Sequence, residues 1–134
     1  MKWKVSGFLA LFVFVLAACQ NEQEIEFARY YSSGKVIYQS KCQNCHGSDG
    51  KGLAALIPAL TQIKTDKTVL TCLIKYGSKS SLNPADKTFG NQMPATDLPS
   101  VDIARVLTYV TNSFGNKTST ITTEQVEKDL KGCK

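Results

Sequence analysis

The chain has 134 residues, which lies within the commonest size of a single domain, so one hydrophobic core is expected. Its formal net charge of +5 is a mild surplus. The sequence has no block of like charges and no basic face interleaved with aromatic residues, which are the patterns that indicate nucleic acid binding. No nucleic acid partner is therefore expected.

The first predicted element is a secretory signal over residues 1–18. Lys2 and Lys4 precede an apolar run from Val5 to Ala18, which ends in small residues. A membrane anchor is the alternative, but these fourteen residues are fewer than the roughly 20 that a transmembrane helix needs. Removal of the signal would lower the net charge from +5 to +3.

The stretch "LAAC" at residues 16–19 resembles the lipobox of bacterial lipoproteins. The resemblance implies cleavage before Cys19, which then carries lipid at the start of a mature chain of 116 residues. Ordinary cleavage after Ala18 is the alternative, and it would leave an exposed thiol, a liability in an oxidising compartment. Residues 19–28 are therefore predicted to form a lipidated tether, in which the nine residues 20–28 reach at most about 30 Å when extended.

Two helices are predicted in the first half of the mature chain. The first covers about residues 29–43, with Ser32 or Ser33 as a candidate N-cap and a cysteine pair at its end. A glycine-rich loop follows, whose backbone is expected to approach another group closely. The second helix covers residues 65–76, begins at a Thr or Asp and ends at Gly77.

Two further helices follow a long loop. The loop, residues 78–98, is rich in Asn, Pro, Gly and Ser, and a loop of this length in a small domain is usually functional. The third helix has apolar residues on one face at helical spacing, Ser100 as a candidate cap and Gly115 as a left-handed end. A short terminal helix covers residues 123–131. With no strand pattern present, the elements predict an all-α fold.

The segment "CQNCH" holds two of the five cysteines and the only histidine of the chain. Cys42, Cys45 and His46 fit C-x-x-C-H, the attachment pattern of c-type haem. Two thiols at this spacing can add to the two vinyl groups of one porphyrin, and the adjacent imidazole can then bind the iron. A zinc site, a redox-active thiol pair and a structural disulfide between Cys42 and Cys45 are the alternatives.

A second iron ligand is indicated by Met93. Because Met1 would leave with the signal, Met93 is the only methionine of the predicted mature chain, and it lies in "GNQMPA". A thioether in a loop rich in Gly, Asn and Pro is an unusual core residue and a natural soft axial ligand. The alternative is that the side chain fills a gap in the packing.

These motifs together resemble the class I c-type cytochromes over about residues 33–115. The resemblance rests on "GKVIYQSKCQNCHG", on "HGSDGKGLAALIPAL" and on "FGNQMPA". It implies an all-α cytochrome c fold, with three or more helices around one covalently bound haem c. It also implies a cytochrome domain at residues 29–115, and residues 116–134 are expected to add a C-terminal helix that packs on it.

The resemblance assigns a role to each site residue. Cys42 and Cys45 would hold the haem through thioethers, and His46 and Met93 would bind its iron. Pro58 lies twelve residues after the histidine, the spacing of the family, and its carbonyl would accept a hydrogen bond from the imidazole.

The same resemblance implies a contact between two helices of the domain. Gly34 and Tyr38 of the first helix would meet Tyr109 of the third helix, an aromatic position in the family. Each of these residues alone could equally be ordinary helix packing.

Two cysteines have no role in the haem site. Once Cys19 takes lipid and Cys42 and Cys45 take haem, Cys72 and Cys133 remain, and an oxidising compartment permits them to pair. A disulfide that pins the terminal helix to the second helix is predicted. Two unrelated buried thiols are the alternative.

The predicted function is one-electron transfer and not catalysis. Iron bound on both faces has no open position for a substrate, whereas haem catalysis or gas sensing would need one. The expected partners are an oxidase, reductase or dehydrogenase complex and, through the lipid anchor, a membrane of the bacterial envelope, with the domain facing the periplasm or exterior. A weakly basic docking face is a further hypothesis, resting on Lys51, Lys75, Lys79 and Lys87.

Overall fold

The computed structural model describes residues 2–54, 56–62, 66–78, 92–115 and 119–133, with the backbone alone for residues 2–21. Within these ranges the chain forms five α-helices, one short 3-10 helix and no β-strand beyond an isolated bridge, which confirms the all-α class. The α-helices are α1 (Lys2–Lys41), α2 (Gln43–His46), α3 (Lys67–Tyr76), α4 (Ser100–Ser113) and α5 (Thr123–Lys131), and the 3-10 helix is Leu60–Gln62.

The first helix is longer than predicted. α1 begins at Lys2, so the predicted start near Arg29 with Ser32 or Ser33 as N-cap is wrong. Ser32 lies inside the helix, where its hydroxyl donates to the Arg29 carbonyl at 3.2 Å. Residues 19–28, the predicted tether, are helical, and at a rise of about 1.5 Å per residue they span about 15 Å. Among the residues with described side chains, no helix has the length and apolar character needed to cross a membrane.

α1 and α4 cross in direct backbone contact at Gly34. A Cβ atom at this position would overlap the main-chain carbonyl of Arg105 and lie 2.9 Å from the Cβ of Tyr109, so the missing side chain allows the close approach. One turn later, Tyr38 packs on Tyr109 with ring centroids 5.4 Å apart, and it is 1% exposed. The predicted contact of Gly34 and Tyr38 with Tyr109 is confirmed.

α4 carries the centre of the core. Its apolar face contributes to both clusters of buried side chains, one shared with α5 and the other with the part of α1 nearest the cysteine pair.

Both predicted ends of α4 are wrong. Pro99 is the N-cap, and its carbonyl accepts from the amides of Asp102 and Ile103, while Ser100 is the first helical residue. Phe114 is the C-cap, and Gly115, which follows it, does not have the positive φ of the predicted left-handed residue.

α5 is joined to α3 by a disulfide. Cys72 and Cys133 are bonded with their Cα atoms 5.6 Å apart, as the sequence predicted. Beside the bridge, the Thr68 hydroxyl donates to the buried carboxylate of Asp129 at 3.2 Å. The terminal helix has its predicted bounds, Thr123–Lys131, and it packs on α3 and α4.

Candidate functional site

The cysteine pair and the histidine lie on one turn of helix. Cys42 is the N-cap of α2, and its carbonyl accepts from the amides of Cys45 and His46 at 3.2 and 2.9 Å. Cys42 is half-buried, Cys45 is exposed, and both thiols are free. The disulfide alternative is therefore absent from the structure, and two thiols and one imidazole are presented by neighbouring positions.

The imidazole of His46 is oriented by a backbone carbonyl. Its Nδ1 atom lies 3.3 Å from the Pro58 oxygen. Because a carbonyl can only accept, Nδ1 carries the proton and Nε2 of the neutral ring keeps its lone pair. Burial lowers the pKa of His46, while the bond to Pro58 has a smaller, raising effect, so the ring is neutral at pH 7. A neutral ring with a free Nε2 is the form that binds a metal.

A tight loop sets the distance between His46 and Pro58. Gly52 donates its amide to the His46 carbonyl at 2.9 Å and has a φ of 66°, which favours glycine. A Cβ atom on Gly52 would overlap the Ile57 carbonyl and lie 2.6 Å from the Pro58 oxygen. The close backbone approach predicted for this loop is therefore an approach of the loop to its own proline.

Tyr38 ties the same loop to α1. Its hydroxyl donates to the Gly47 carbonyl at 2.6 Å. Burial raises the pKa of Tyr38 to about 12, with smaller contributions from Cys42, Tyr109 and Asp49, so the hydroxyl keeps its proton at neutral pH. Gly47, the residue after His46, is thus held to α1 by this hydrogen bond.

The other two alternatives for the cluster gain no support. A redox-active thiol pair needs a thiol of lowered pKa. Burial, with the neighbouring Cys45, instead raises the pKa of Cys42 to about 11. A structural zinc site needs four ligands. In the part of the chain that the structure describes, no group of three or more His, Cys, Asp or Glu side chains is placed to hold a metal ion.

Met93 lies on a separate segment, against the C-terminal end of α3. Its amide donates to Ser78 Oγ at 2.8 Å, and its carbonyl accepts from the Ser78 amide at 3.0 Å. Sequence reasoning missed Ser78, because a serine after a helix-ending glycine carries no distinctive signal. Met93 lines a cavity of about 410 Å³ together with Tyr76, Gln92, Pro94 and Ala95.

The residues of the two segments fit a haem. The donor set comprises two free thiols, a neutral imidazole with Nε2 available, and the thioether of Met93, a residue that lines a cavity. Apolar side chains are exposed near both groups of donors. Leu53 and Leu56 are 54% and 44% exposed in the loop before Pro58, and Tyr76, at the end of α3, is 48% exposed on the cavity that Met93 also lines. Apolar surface is unfavourable in contact with water, and an apolar macrocycle bound at the site would cover it.

The predicted basic docking face gains no support from the two of its lysines that are described. Lys51 is exposed, but it forms an ion pair with Asp49 at 2.8 Å, which reduces the local net charge. The Nζ atom of Lys75 donates to the Leu98 carbonyl at 3.0 Å. Lys79 and Lys87 lie outside the described residues.

The candidate site lies in the part of the chain that matches a known protein family. Residues 30–110 match the family described as cytochrome C oxidase, cbb3-type, subunit III, and this range contains the cysteine pair, the histidine, the proline and the methionine. The chain is also similar to the fructose dehydrogenase cytochrome subunit of Gluconobacter japonicus, at 29% identity over 114 residues. That alignment covers 77% of this chain, and the chain spans only 23% of the length of that relative.

Proposed function

Because the chain belongs to the cytochrome c family of cbb3-type oxidase subunit III, we propose that it is a membrane-tethered one-electron carrier of the bacterial cell envelope. Proteins of this family transfer electrons and hold haem c covalently. When bound, the haem supplies an iron that alternates between the ferric and ferrous states.

The proposal assigns covalent attachment to Cys42 and Cys45, and the proximal iron bond to Nε2 of His46. The observation that carries it is the hydrogen bond between His46 Nδ1 and the Pro58 carbonyl at 3.3 Å. This bond fixes the tautomer, prevents rotation of the ring and increases the basicity of Nε2. Pro58 is in turn held by the tight loop around Gly52.

Met93 is proposed as the second axial ligand. Support comes from its place in the lining of a cavity and from the two hydrogen bonds that fix its backbone. A thioether favours ferrous iron and so raises the reduction potential relative to a second imidazole. If His46 and Met93 both bind the iron, they would leave it no position for a substrate, which suits a carrier.

The partners proposed are respiratory redox complexes. One similar protein is named as a dehydrogenase cytochrome subunit, and the family is named for an oxidase subunit. We therefore place a dehydrogenase on the donor side and an oxidase on the acceptor side. The chain itself would act as a shuttle or a fixed relay between them.

Attachment to the membrane is proposed through lipid on Cys19. Stable anchoring takes two membrane signals, and the three acyl chains usual for lipoproteins exceed that threshold. Residues 22–28 continue α1 directly into the cytochrome domain, so the domain would be carried on a helical spacer and not on a flexible strand. Confinement near the bilayer raises the effective concentration of the carrier at a partner in the same membrane.

The test of haem attachment is extraction of the purified protein with acidified acetone, followed by intact mass measurement. The colour is expected to stay with the polypeptide, and the mass to exceed that of the apoprotein by one haem. The double variant Cys42→Ala/Cys45→Ala should lose covalent haem, while the control Cys72→Ala/Cys133→Ala should retain it. Freely extractable haem in the wild type would contradict the proposal.

A further inference from the structure

The segment that carries Met93 is fastened to the end of α3, and we infer that Ser78 is the residue that positions Met93 for iron binding. The inference rests on the proposed role of Met93 as axial ligand and deepens it. Ser78 directly follows Gly77, the C-cap of α3, so its own position is set by the end of a helix. It is a positioning residue, because it acts through Met93.

Ser78 holds both polar groups of the Met93 backbone. Its amide donates to the Met93 carbonyl at 3.0 Å, and its Oγ atom accepts from the Met93 amide at 2.8 Å. Both residues are half-buried, so these bonds are partly shielded from competing water. Two bonds on opposite sides of one Cα atom fix the direction in which the thioether leaves the chain.

The rest of the segment is attached to the same helix. The last carbonyls of a helix have no partner inside it. Here Thr96 supplies two donors, its hydroxyl to the Ile74 carbonyl at 2.8 Å and its amide to the Lys75 carbonyl at 3.3 Å. Lys75 Nζ returns a bond to the Leu98 carbonyl at 3.0 Å. Residues 92–98 therefore lie on α3 as one hydrogen-bonded unit.

Gly77 brings this unit into contact with the main chain of α3. A Cβ atom on Gly77 would lie 2.5 Å from the Met93 carbonyl oxygen and 2.8 Å from the Ala95 amide nitrogen. Such close packing leaves the Ser78 hydroxyl next to the Met93 amide. Among the described residues, the acceptor for the Met93 amide is thus a side chain, the hydroxyl of Ser78.

Loss of the Ser78 hydroxyl would leave the Met93 amide without this acceptor. One hydrogen bond stabilises a protein by about 1 kcal/mol, which corresponds to a factor of about five in the equilibrium between closed and open segment. A ligand from solution binds the open form, so its apparent dissociation constant falls as the open fraction rises. The hydroxyl is therefore expected to control how readily another ligand replaces Met93.

The experiment is imidazole binding to the ferric holoprotein, followed by loss of the long-wavelength absorbance band of iron–methionine ligation. Ser78→Ala is expected to bind imidazole about fivefold more tightly than the wild type, for the hydrogen bond lost. Ser78→Thr, which keeps a hydroxyl, should restore the wild-type constant. Ser32→Ala is the matched control, since it removes an exposed serine hydroxyl of α1 that donates to the Arg29 carbonyl.

The outcomes separate this inference from the proposed ligation. If the wild type lacks the iron–methionine band, the ligation by Met93 fails and the role of Ser78 fails with it. If the band is present but Ser78→Ala binds imidazole as the wild type does, the role of Ser78 alone is overturned. Should the alanine variant not accumulate, amide hydrogen exchange of the wild-type holoprotein decides: slow exchange at Met93 supports the inference, and rapid exchange overturns it.

Discussion

At the residue scale, the site depends on uncharged polar groups that hold its functional residues in place. His46 is oriented by a proline carbonyl at 3.3 Å, and the Met93 backbone is held by Ser78. Neither arrangement needs a charged partner. Buried charges near a haem iron would alter its potential, whereas carbonyl and hydroxyl groups orient the ligands at little electrostatic cost.

The methionine assignment predicts the effect of Met93→Ala. Removal of the thioether should lower the reduction potential and open the ferric iron to water or cyanide, because the ligand that favours ferrous iron is gone. Optical redox titration and cyanide binding measure both effects. Gln92→Ala is the matched control, because Gln92 is the exposed neighbour on the same cavity. An unchanged spectrum and potential in Met93→Ala would refute the assignment.

At the element scale, α3 connects the C-terminal extension to the methionine segment. Its Cys72 is bonded to Cys133 after α5, and its last turn holds residues 92–98. α1 and α4 form the other rigid unit, locked at Gly34 by direct backbone contact. The disulfide therefore fixes α5 to the helix that carries the methionine segment, and not to the cysteine pair.

Removal of the disulfide should affect stability more than haem attachment. The bonded cysteines are 61 residues apart, and a loop of this length predicts a loss of up to about 4 kcal/mol in the free energy of unfolding. Denaturant unfolding of Cys72→Ala/Cys133→Ala against the wild type measures the loss, and covalent haem should persist. The wild type should show no thiol that reacts with a thiol reagent under denaturing, non-reducing conditions once haem and lipid are attached. Two reactive thiols would show that the bridge is absent.

At the scale of the whole molecule, the site could be predicted from the sequence where its parts are local. The spacing of the cysteine pair, His46 and Pro58 is set within one turn and one loop, so a short pattern contains it. The bounds of α5 were equally predictable, because Thr122 caps it with a side-chain bond to the Gln125 amide.

The differences from the sequence predictions have two kinds of cause: neighbouring residues decide the helix ends, and a contact distant along the chain decides the role of Ser78. α1 extends through residues 20–28, beyond the predicted signal, because they contain no Gly or Pro and include five Glu or Gln residues, which favour a helix. At α4, Pro99 occupies the cap position that was assigned to Ser100. The role of Ser78 requires the chain to return 15 residues later, which no local pattern predicts.

The proposed membrane attachment also belongs to the scale of the whole molecule. Replacement of Cys19 by Ser should release the domain to the soluble fraction or leave an unprocessed precursor, because the lipidated thiol is lost. Fractionation of cells and the mass of the N-terminal peptide measure this, with Gln20→Ser as a control that keeps the cysteine. Processing and membrane attachment that survive in Cys19→Ser would show that the lipobox interpretation is wrong.

The central claim is that this chain is an electron carrier whose iron is bound by the protein on both faces. Its most direct test is a potentiometric titration of the purified holoprotein, followed by visible spectroscopy. The account predicts a single reversible one-electron transition between two low-spin spectra, with no sustained reduction of peroxide, nitrite or oxygen. A high-spin spectrum, an irreversible transition, or sustained turnover of one of these substrates with both ligands in place would contradict it.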